Sequence, residues 1–94
     1  ENPYRGCTRE KALAIAARLY ELKTGEKASP RSTDVYPFKD MDKVSPSLLN
    51  KVQFAIQNGF MSDRYSNMLN PDEVILRGEF MGILEKVMKM AGEV

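Results

Sequence analysis

The chain has 94 residues, 43% of them hydrophobic and 29% charged, a composition that suits one small folded core and excludes a disordered segment. With 14 Lys and Arg against 13 Asp and Glu the net charge is +1, so no field of one sign draws the chain to nucleic acid, although a specific small anion site stays compatible. There is no histidine and one cysteine, Cys7, which excludes an intrachain disulfide and removes the usual ligand or base for zinc sites and for Ser-His or Cys-His catalysis.

The start at Glu1-Asn2-Pro3, without methionine, reads as a processed or trimmed end, and no signal peptide is visible. No apolar run approaches the roughly 18 residues of a membrane span. The first predicted helix runs from about Thr8 to Lys23, with Ala12, Leu13, Ile15, Ala16, Leu19, Tyr20 and Leu22 at helical spacing, Thr8 as its cap and Gly25 as its stop. Residues 24–44, with two prolines and many small polar residues, read as a connector, long for a compact domain and better explained as a link between repeats.

A second helix is predicted behind Ser45 as N-cap and Pro46 at its first position, with Leu48, Leu49, Val52, Ala55 and Ile56 as its buried face and Gly59 as its end. Residues 60–71 are rich in turn formers and end in Asn70-Pro71, which predicts a loop with one short extended stretch. The third helix is expected from near Leu76 to about Ala91, on Leu76, Phe80, Ile83, Leu84, Val87, Met88 and Ala91, with Glu85 and Lys89 spaced for an i, i+4 pair and Gly92 closing it. Met81, Met88 and Met90 read as core filler or as an adaptable partner surface. Asp63, Asn67 and Asn70 do not make a calcium loop, because the central glycine is missing and Tyr65 takes an alternate position.

The chain repeats itself at a shift of 68 residues: Asn2-Pro3 falls on Asn70-Pro71, Arg9 on Arg77, Ile15 on Ile83 and Leu19 on Val87. Half a unit is thus followed by a whole one, each with an arginine six residues after the proline, at the head of an apolar helix.

On these marks the sequence resembles the S-layer homology family. Phe38-Lys39-Asp40 is similar to the opening of that family's repeat, Gly59-Phe60-Met61 to its glycine with an apolar pair, Leu69-Asn70-Pro71 to its loop end, and Ile75-Leu76-Arg77-Gly78-Glu79 to its arginine motif. Departures fall at Ser47, where the short helix usually carries an aromatic, at Asp63 for a loop glycine, at Leu76 for a threonine and at Lys11 for a glutamate. The division implied is residues 1–28 as the C-terminal half of a first repeat, 29–37 as linker and 38–94 as a complete repeat. The fold implied is all-α, with short helix, loop and longer helix in each repeat, as part of a pseudo-threefold bundle.

The resemblance also implies a non-catalytic, extracellular anchor at the cell wall or S-layer. Its partner would be secondary cell wall polysaccharide, often carrying a pyruvate ketal, beside neighbouring repeats or a second copy, with no cofactor, nucleic acid or membrane span. Arg77 and Arg9 are then the candidates for gripping the ketal carboxylate, which a guanidinium matches bidentately at a helix N-terminus. Asp40 is the candidate acceptor for sugar hydroxyls. Structural roles stand beside these: the arginines can satisfy loop carbonyls or neighbouring acids, and Asp40 can cap a turn or pair with Arg77. The rival functional class is a protein-interaction module on the same helical scaffold with a decayed sugar site.

Overall fold

A computed structural model describes residues 7–30, 38–60 and 68–92. Asn2-Pro3, residues 31–37 of the connector, and the stretch 61–67 with Asp63 and Asn67 lie outside them. The fold is all-α: among the described residues helix α1 spans Arg9–Thr24, α2 Leu49–Gln57 and α3 Arg77–Met90, with a 3-10 turn at Met41–Lys43.

Local chemistry sets most helix ends. Extended Thr8 accepts the Lys11 N–H on its hydroxyl at 3.4 Å, and α1 closes on Gly25 at φ 74, a conformation an L side chain resists, so that its N–H reaches Glu21 O. Ser45 does not cap α2 as expected. Its N–H and hydroxyl instead donate to the two carboxylate oxygens of Glu10, at 2.9 and 2.7 Å, and the helix begins four residues later behind a turn. A carboxylate from α1 outcompetes the local cap because it receives two donors at once. The predicted Glu85–Lys89 pair does not form, and both side chains stay in solvent.

Helix α1 packs against both α2 and α3, which do not approach each other among the described residues. Ala12, Leu13, Ala16 and Ala17 are fully buried. Small side chains on two faces let two neighbours close in on one helix. Around α1 gather Val52, Phe54 and Ala55 of α2, Ile83 and Val87 of α3, and Phe38, Val44, Phe60, Leu69 and Ile75 from the connections, in one core. Phe54, which the spacing of α2 did not place inside, is buried between the rings of Tyr20 and Phe60, at centroid distances of 5.1 and 6.2 Å. Ile15 and Leu22, predicted to be inside, are exposed, because both neighbours cover the other faces of α1.

The first turn of α1 is also stitched to the chain before α3. An isolated antiparallel bridge joins Thr8 to Val74, through Arg9 N–H to Glu73 O and Ile75 N–H to Cys7 O, both 2.9 Å. Truncating Leu13 to alanine should cost about 3 kcal/mol in urea denaturation, whereas Leu22→Ala, at a position 67% exposed, should cost under about 0.5 kcal/mol. Equal costs would show that α1 is not the centre of the core.

Candidate functional site

Two of the three residues nominated from the sequence meet at one short piece of backbone. Asp40 is 3% exposed; its two oxygens accept the N–H groups of Leu69 and Asn70 at 2.7 and 2.8 Å. Arg9, 2% exposed, donates from Nη1 to the carbonyls of the same two residues at 2.9 and 3.0 Å. Its Nε and Nη2 form a bidentate pair with Glu79, both 3.1 Å, and Nη2 also reaches Glu73 at 3.1 Å. A guanidinium has five N–H donors, and here all five are used.

Electrostatics hold this cluster in its charged form. Burial disfavours the Asp40 carboxylate, but the two backbone donors outweigh it and hold its pKa below the ordinary value. Desolvation likewise opposes the charge on Arg9, and Glu79 and Glu73 overcome it, so its pKa is raised. Asn70 sits at φ 53, in the left-handed region where asparagine is among the better-tolerated residues, and this turns the loop so that both clamps can grip it.

Arg77 is placed differently. It opens α3, is exposed, and its guanidinium has no hydrogen-bond or ion-pair partner among the described residues. Asp40 does not pair with it.

The structure adds a site that the motif marks did not nominate. Between α1 and the start of α2 lies an open groove of about 350 Å³ lined by Lys11, Ala14, Ile15, Arg18, Leu48 and Lys51. Positions 11, 14, 15 and 18 form one stripe of α1. Ala14, Ile15 and Leu48 supply apolar surface, and the three cations lie around it. Arg18 and Lys51 both reach Oε1 of Glu21, at 3.2 and 3.4 Å, while Oε2 of Glu21 accepts the Ala28 N–H at 2.8 Å. That backbone donor, helped by the two cations, holds the Glu21 pKa below its ordinary value. Two of the three cations therefore share one carboxylate, and the Lys11 ammonium has no partner among the described residues. Apolar surface with surplus positive charge suits a ligand that has both an apolar face and an anionic group.

The sequence carried a faint signal for this groove, in Lys11 where the family pattern has glutamate. Lys51 comes from the next helix, so its arrival could not be read from spacing.

Residues 37–81 match the family described as S-layer homology domain. The matched stretch runs from the Phe38-Lys39-Asp40 mark through Leu69-Asn70-Pro71 to the first turn of α3. The family consists of non-catalytic, cell-wall-binding modules of the cell surface. No curated protein and no solved structure matches the chain. No helix is long and apolar enough to cross a membrane, and no cluster of three metal-ligating side chains occurs among the described residues.

Asp40→Asn should cost about 1–3 kcal/mol at neutral pH, since it replaces a two-donor acceptor by an amide that presents one oxygen. Because the folded pKa of Asp40 lies below its unfolded value, this stabilisation is present above about pH 4 and is lost as pH falls through the folded pKa. The gap between wild type and variant in urea midpoints should thus narrow below about pH 4; a gap that stays constant would contradict the assignment. Arg9→Lys should lose most of what Arg9→Ala loses, about 3 kcal/mol, because one ammonium cannot replace a five-donor fork.

Proposed function

We propose that the protein is a non-catalytic anchor that holds secondary cell wall polysaccharide in the groove between α1 and α2. The observation that carries this reading is the apolar floor of Ala14, Ile15 and Leu48 beside Lys11, Arg18 and Lys51. A pyruvate ketal presents a methyl group and a carboxylate on one carbon, and a sugar ring adds a C–H face. The apolar floor takes the first and last, and the cations take the carboxylate. Arg9 and Asp40 serve this reading from within, by fixing the loop beside α1. The Glu10–Ser45 contact sets the spacing between the two helices that form the groove.

The groove is open and its cations are solvated, so a single site binds weakly and several repeats acting together reach useful avidity. The extracellular location and the preference for ketal-bearing glycan belong to this same reading. The rival reading, a protein-interaction module, draws on the way Arg9 docks one unit onto the next.

Sedimentation with purified cell walls, before and after acid removal of ketal pyruvate, tests the assignment. Lys11→Gln with Lys51→Gln should weaken binding about tenfold and bring it to the level seen on acid-treated walls, while Arg77→Ala should change it less than about twofold. Loss in Arg77→Ala with the lysine variant unaffected would move the ligand to the arginine motif. Absence of binding to every wall preparation would favour the interaction module.

A further inference from the structure

We infer that Glu21 is a positioning residue of the groove between α1 and α2: as the internal counter-ion of Arg18 and Lys51, it directs a ligand's anionic group to Lys11 at the other end. This rests on the reading of the groove as the ligand site, whichever glycan fills it.

The three cations are not equivalent. Lys11 stands in the first turn of α1, and Arg18 stands two turns further on, about 10 Å along the helix axis. Lys51 arrives from α2 at the Arg18 end, because its Nζ and the Nη1 of Arg18 meet on the same oxygen of Glu21, at 3.4 and 3.2 Å. Two cations therefore gather at one end, and that end already has its anion. The Glu21 side chain is 12% exposed and lies behind Arg18 and Lys51, outside the lining of the groove. Its second oxygen accepts the N–H of buried Ala28 at 2.8 Å, which fixes the carboxylate in place. An anion entering at that end must compete with Glu21 for both cations and approach a like charge. At Lys11 it displaces only water.

The helix acts in the same direction. Lys11 lies near the positive end of the α1 dipole and Glu21 near its negative end. The N–H groups of Arg9, Glu10 and Lys11 are already taken by Glu73, Pro71 and Thr8, so the dipole contributes a field and not a pocket. Glu10, the other carboxylate near Lys11, is buried, turned towards Ser45, and reaches none of the three cations. Between the two ends lies the apolar floor of Ala14, Ile15 and Leu48. A ligand therefore lies along α1 with its anionic group at Lys11. Its neutral part points to Arg18 and Lys51, whose spare donors can meet hydroxyl oxygens.

The test uses the full chain and naphthoate, a probe with one carboxylate, an apolar face and no sugar. Binding is followed by chemical-shift titration of the Ile15 and Leu48 methyl groups at low ionic strength. Lys11→Gln should weaken naphthoate binding about fivefold and Lys51→Gln less than about twofold. Glu21→Gln keeps an oxygen for the Ala28 N–H and releases both cations. In that background Lys11→Gln should weaken binding less than about twofold, because the carboxylate can then sit at the Arg18 end. Additive effects of Lys11→Gln and Glu21→Gln would overturn the inference, as would a fivefold loss from Glu21→Gln alone. Equal losses in Lys11→Gln and Lys51→Gln would also overturn it, and that comparison holds even if Glu21→Gln fails to fold. So would naphthoate that shifts neither methyl group. Sedimentation with cell walls separates the two readings. Wall binding lost in the lysine variant beside an additive naphthoate cycle removes this inference alone. The expected naphthoate cycle without any wall binding removes the glycan reading alone.

Discussion

Leu69 and Asn70 are held from both sides of their backbone. Asp40 takes their two N–H groups and Arg9 their two carbonyls, so four polar groups that would be costly to bury unpaired are all satisfied. The loop end cannot shift without releasing a buried carboxylate, a buried guanidinium or both. Pro71 and Glu73 complete the arrangement by accepting the N–H groups of Glu10 and Arg9, orphan donors of the first turn of α1. One strip of loop thus caps one helix, anchors the connector and leads into α3. In a chain with room for only a small core, such a joint does work that apolar burial alone cannot do.

The joint also explains how the family marks divide their labour. Asp40 and Leu69-Asn70-Pro71 are far apart in sequence, and Arg9 lies outside the matched stretch altogether, yet the three converge in the interior. Their polar atoms are occupied by one another, so they preserve geometry. Cations with donors left over for a ligand lie elsewhere, along the groove of α1 and α2 and at the head of α3. A helix assigned by repeat logic to the preceding unit turns out to be the axis on which both other helices pack. The open groove beside α2 and the packing of both other helices therefore follow alike from α1 having two partnered faces and one open one.

Much of this was legible beforehand. The three helices were located to within a few residues by apolar spacing, by Thr8 and by Gly25, because these signals act within one turn of chain. Arg9 and Asp40 were singled out by motif, with loop carbonyls among the alternatives for the arginine. Ser45 misled, since a serine before proline is a good cap in isolation and the competing carboxylate of Glu10 arrives from 35 residues away. Ile15 misled for the related reason that helical periodicity marks an apolar stripe without saying which neighbours cover it.

By itself, then, the sequence determined the helices, their repeat at a fixed shift, the all-α class and the family marks, all of which depend on local conformational preference and on residue type. Tertiary structure alone decided which of two equivalent arginines is buried and which is exposed. Arg9 finds the two carbonyls of Leu69 and Asn70 and the carboxylates of Glu73 and Glu79, while Arg77, in the same local setting, finds none among the described residues. It likewise decided that Lys11, Arg18 and Lys51 share one groove. Pairing across the fold depends on what packing brings within about 3 Å, and that distance is written nowhere along the chain.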